Sequence, residues 1–120
     1  MRKNMKLHEF NIHLGETQAK VKEIIALKGK QYHFDADRLA HFKDIAAFTK
    51  RTPQQALGGM MIKHTKSIYD MIESDVKKYS LWEEKVIDHI AYLCFLLALC
   101  VENEVYDSPE YGDISKGISL

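Results

Sequence analysis

Four carboxylates make the clearest chemical pattern in the chain. Asp70 and Glu73 stand at helical spacing, and Glu84 and Asp88 follow after ten residues. If the two segments are helices folded back about a turn near Tyr79, positions equally far from the turn meet. Asp70 then comes level with Asp88 and Glu73 with Glu84. Carboxylate oxygens gathered in this way are the ligands a hard cation such as Mg²⁺ prefers. The helical wheel separates the two pairs. Glu84 and Asp88 share a side with Ala91, Phe95 and Ala98, where an unpaired carboxylate is costly. Asp70 and Glu73 lie opposite the apolar stripe of their helix, where solvation alone accounts for them.

Lys63 and His64 are the candidate substrate-binding pair, a cation and an imidazole at the same cleft. His64 and His89 both fall among apolar positions, where a core histidine with one hydrogen-bond partner is the simpler reading, since no second His or Cys stands at ligand spacing. The methionines at 60, 61 and 71 read as core filling. There is no glycine-rich phosphate loop, nucleophile elbow, Cys-x-x-Cys pair or paired-His zinc motif. Whether the protein is an enzyme stays open at this point.

The element that must position these residues runs from Ser80 to Asn103. From Ile90 to Val101 it is apolar without a break, covering the whole circumference of a helix. Such a helix is expected to be buried on all sides, and it is too short between its charged flanks to cross a bilayer. Ser80 and Glu83 read as its capping box. Before it, Thr52, Pro53 and Gln55 open a helix expected to run to about Lys78, with Leu57, Met60, Met61, His64, Ile68, Met71, Ile72 and Val76 on one face. The pair Gly58-Gly59 near its start suggests a close backbone approach. A second helix is expected from a cap at Asp35 to Thr49, and a first from Gly15 to Leu27 with Gly29 as its stop. Residues 1–14 fit a helical stripe and strand alternation alike, and are read as a short helix or an arm. Residues 104–120 have no period and read as a loosely attached tail. The expected fold is a single all-α domain over 1–120, a bundle of four main helices with the C-terminal helix, about 80–103, central and buried.

The totals bound the function. The 120 residues suffice for a core, and their formal net charge is zero. That balance speaks against general nucleic-acid binding, which needs a basic excess. Cys94 and Cys100, about 9 Å apart along one helix, cannot pair and read as core thiols in a reducing compartment. With no apolar run suited to a signal peptide, the protein is expected in a cytoplasm, without a membrane partner.

Several blocks resemble a set of small phage and prophage proteins of uncharacterised function. They are KGKQY at 28–32, DRLAHFK at 37–43, TPQQAL at 52–57, KHTKSIYDM at 63–71 and EKVIDHIAYL at 84–93. Gln31, His41 and Ala91 stand where that pattern carries an acid and two asparagines. The carboxylate pattern is similar, more loosely, to that of the MazG-type all-α nucleoside triphosphate pyrophosphohydrolases. This second resemblance implies Mg²⁺ held by Asp70, Glu73, Glu84 and Asp88, with Lys85 where a second Glu is usual. Two functions follow. One is a phage-type accessory protein related to nucleotide-handling bundles, with a nucleotide as ligand and host cytoplasm as its place. The other is a non-catalytic interaction protein, such as an anti-CRISPR-like inhibitor of a host defence nuclease, with a host protein as target and exposed aromatics such as Tyr106 or Tyr111 in the interface. Under either, self-association into a homo-oligomer is expected.

Overall fold

Four helices, α1 (Leu7–Tyr32), α2 (Ala40–Thr49), α3 (Pro53–Glu73) and α4 (Tyr79–Glu102), form the computed structural model, which describes residues 4–32 and 37–103. The described residues contain no strand, so the all-α bundle expected from periodicity is the fold. Asp35 and the segment 104–120, with Tyr106 and Tyr111, lie outside the described residues.

Helix α1 is longer than its sequence pattern suggests. It runs unbroken through both Gly15 and Gly29, neither of which takes a positive φ. A helical glycine costs only about 1 kcal/mol relative to alanine, which does not end a helix of 26 residues anchored by Val21 in the core. The helical stripe at Leu7, Phe10 and Leu14 therefore prevails over the strand alternation. Gly29 has a different task from stopping the helix. It is buried, and a Cβ there would collide with the Arg38 guanidinium lying across it.

Helix α2 begins at Ala40, later than expected. The Asp37 carboxylate accepts from the Leu39 amide at 2.9 Å and from Lys43 Nζ at 2.7 Å, organising the entry to the helix. Lys43 also reaches Glu102 at 2.5 Å, tying α2 to the end of α4. These partners lower the Asp37 pKa, through Lys43 first and the Leu39 amide second, and raise that of Lys43. Helix α2 ends at Lys50, a non-glycine residue held in the left-handed conformation with φ 56°.

Helix α3 opens as its sequence indicates. Thr52 accepts from the Gln55 amide at 3.1 Å while Gln55 accepts from the Thr52 amide at 3.0 Å. It closes earlier than Lys78, at Glu73, where the Ser74 hydroxyl donates to the Asp70 carbonyl at 2.7 Å. The turn that follows is pinned by Trp82, whose indole N–H donates to the Val76 carbonyl at 3.0 Å. The expected Ser80–Glu83 capping box does not form. Helix α4 already starts at Tyr79 without a side-chain cap, and Glu83 is engaged by Lys20 at 2.6 Å. That bond is the largest cause of the raised Lys20 pKa.

Thr65 pairs with His89 at 2.8 Å and His64 stacks on Tyr92 at 4.9 Å, so α3 and α4 run antiparallel. Lys20 meets Glu83 and Lys28 lies over Tyr92, so α1 runs parallel to α4. Leu39 and Phe42 from the second helical segment, Leu57 from α3 and Leu99 from α4 form the central cluster.

The expectation that α4 is buried all round is corrected. Ile87, Ala91 and Leu99 are buried, but Leu93, Cys94, Leu97 and Val101 are exposed, Leu97 by 70% of its surface. The neighbouring helices close only part of its circumference. No helix among the described residues is long and apolar enough to cross a membrane.

Leu99 has no exposed surface, so Leu99→Ala is expected to lower stability by about 2–5 kcal/mol in urea unfolding. Lys50→Gly should act in the opposite direction, raising it by roughly 0.5–1 kcal/mol by removing a left-handed side chain.

Candidate functional site

The two carboxylate pairs lie on different surfaces. Asp70 and Glu73 are exposed on α3, on the side away from the α4-facing His64 and Thr65, and Asp70 is paired with Lys66 at 2.7 Å. Glu84, exposed, and Asp88, half-buried, open instead into the groove between α1 and α4 beside Lys20, Glu23, Ile24 and Ile87. The antiparallel hairpin does bring the pairs to similar levels along its axis. They differ in azimuth. The α3 residues that meet α4, His64 and Thr65, both lie about a third of a turn or more from Asp70, and Glu73 is about half a turn from His64 and nearly a quarter from Thr65. Among the described residues no group of three or more His, Cys, Asp or Glu side chains comes together to hold a metal ion. The donor set expected for Mg²⁺ is therefore not assembled.

A different site is assembled where all four helical segments converge. Lys28 and Gly29 from α1, Arg38 from the approach to α2, His41 and Phe42 from α2, Met60 from α3, and Tyr92 and Phe95 from α4 line one pocket. It spans about 430 Å³ when the open solvent at its mouth is counted, and the gap between its walls has room for little more than a water molecule. Its inner wall is aromatic. Phe42 packs against Phe95 at 5.5 Å and against Tyr92 at 6.5 Å between ring centroids, in tilted and edge-on geometry. Its rim is cationic. Lys28 Nζ lies 6.0 Å from the Tyr92 ring centre, and Arg38 is held by donating to the Ile25 carbonyl at 2.8 Å. That one bond leaves most of the five guanidinium N–H groups able to bond elsewhere. The absence of a side chain at Gly29 is what lets Arg38 take this position.

Of the predicted substrate-binding pair, Lys63 is exposed on α3 and does not reach the pocket lining. His64 is not in the lining either, but its ring packs against Tyr92 of the pocket wall, tilted, at 4.9 Å between centroids. Burial is the largest influence on His64 and lowers its pKa; Asp88 opposes this, while Lys85, Lys28 and His89 reinforce it. His89 bonds Thr65 and is a satisfied structural histidine, as read from the sequence.

Lys28, Arg38, His41 and Tyr92 were not candidate site residues by spacing. Their signal is spatial. Segments 28–32, 37–43 and 84–93 are remote in sequence, and each contributes a lining residue to this single pocket.

No family model matches the chain, and neither does any curated protein or solved structure.

A histidine whose pKa is lowered by folding binds its proton first in the unfolded chain. Stability is therefore retained above its ordinary value of 6.5 and declines as the pH falls below it. The thermal midpoint is expected to drop between pH 7.5 and 5.5, and His64→Gln should flatten that slope.

Proposed function

We propose that the protein binds a small anionic molecule carrying a flat ring, of the nucleotide class, in the pocket between Lys28, Arg38 and Tyr92. The observation that carries this reading is the combination of a cationic rim with an aromatic inner wall. Guanidinium and ammonium groups suit phosphate oxygens, and Arg38 can offer two parallel N–H donors. Phe42, Tyr92 and Phe95 offer ring faces and edges against which a base can lie.

The MazG-like carboxylate pattern lends this reading no support, because its four acids do not come together. The binding proposed here differs in using no metal ligand set. Asp70, Glu73, Glu84 and Asp88 do not line this pocket, and hydrolysis forms no part of the proposal.

Isothermal titration with nucleoside mono-, di- and triphosphates, with and without Mg²⁺, tests it. Binding is expected without Mg²⁺, and Arg38→Ala should weaken it by about tenfold or more, the value of one lost charged hydrogen-bonding group. Gly29→Ala should also weaken it while leaving the thermal midpoint nearly unchanged, because the new methyl displaces only the flexible end of Arg38. Asp88→Ala should leave affinity intact. No heat with any nucleotide would refute the reading, and binding that requires Mg²⁺ and Asp88 would move the site to the α1–α4 groove.

A further inference from the structure

We infer that the uncovered face shared by α3 and α4 is the seat of a second copy of this chain. In the antiparallel register set by Thr65 and His89, Ile62 falls level with Leu93 and Tyr69 with Val86. Together with Leu97 and Val101 they make one apolar surface, each exposed by between 36% and 70%. A monomer seldom presents so much contiguous apolar surface without a partner.

Three observations select a second copy as the occupant. The first is pattern. Val86, Ile90, Leu93, Leu97 and Cys100 recur at alternating spacings of four and three, the seam of paired helices. Turned end for end about Phe95, the seam sets Leu93 against Leu97 and Ile90 against Cys100. It is thus complementary to itself, as a two-fold interface requires. The second is area. The six exposed residues, fully covered, would bury several hundred Å² per copy, on the order of the 800 Å² per partner of a standard stable interface. The third is charge. On the helical wheel the apolar residues of α4 have Glu83 at one edge, already held by Lys20, and those of α3 are bordered by Lys66 and Glu73, which are of opposite sign; with a formal net charge of zero, two copies do not repel.

Gly58 adds an independent indication. It lies on the same face, level with Leu97, and a Cβ built on it meets nothing within 4 Å. A glycine inside a helix costs stability, and among the described residues no contact requires one here. The open space suits the close approach of a second backbone. The pocket lies on the opposite side of α4 from this face, so pairing and ligand binding are separable.

Sedimentation equilibrium on the whole chain decides the matter. The expected mass is twice 13.9 kDa, and Leu93→Asp with Leu97→Asp should return it to 13.9 kDa with the helical circular dichroism retained. Gly58→Ala should weaken association by about tenfold, whereas in a monomer it would only raise the thermal midpoint. Should the double variant fail to fold, a short bismaleimide on the Cys100→Ser chain reads the same geometry. Cys94 of the two copies lies near the two-fold axis and should cross-link efficiently, and Leu97→Asp should abolish this. A mass of 13.9 kDa at all concentrations, or pairing that survives both aspartates, overturns the proposal. So does pairing that appears only with a foreign protein or with lipid vesicles.

Discussion

The contact on which the remaining geometry depends is the packing of Leu99 against Leu57, with Leu39 and Phe42 closing over them. Leu57 and Leu99 are the largest side chains withdrawn completely from water, so apolar burial is concentrated at one end of the hairpin. Phe42 is the link from this cluster to function. Its ring touches the core on one side and, with Tyr92 and Phe95, walls the pocket on the other. A change that loosens the cluster also moves the pocket wall.

That concentration has a second consequence. From Ile90 to Val101 helix α4 is apolar on every side, yet the described helices surround only part of it. The pocket occupies the side toward α2, the carboxylates Glu84 and Asp88 lie on the side toward α1, and a continuous uncharged stripe is left over. One helix thus divides the molecule into a polar-rimmed binding side and an apolar side suited to association. The division follows from azimuth rather than from position along the chain.

Azimuth also separates what the sequence discloses from what it hides. Thr52, Pro53 and Gln55 act through neighbouring backbone, so their capping box is legible in one dimension and is found as read. The antiparallel hairpin is legible for the same reason, since a short turn leaves the helices little choice. Complete burial of α4 was not deducible, because apolar composition states what a helix surface favours and not whether enough neighbours exist to cover it. The carboxylate pattern misled in a related way. Level along a hairpin follows from counting, but which faces meet depends on the rotation set by Thr65, His89, His64 and Tyr92. Gly29 looked like a stop signal, whereas its role depends on Arg38, nine positions on and reached only through the fold.

The account rests on the site lying at the Lys28–Arg38–Tyr92 pocket and not at the four acids. Amide and aromatic chemical shifts followed by NMR during addition of a nucleotide without metal measure this directly. The largest changes should fall on Gly29, Arg38, His41, Tyr92 and Phe95, with Asp70, Glu73, Glu84 and Asp88 unmoved. Changes centred on Glu84 and Asp88, or none anywhere, would contradict it.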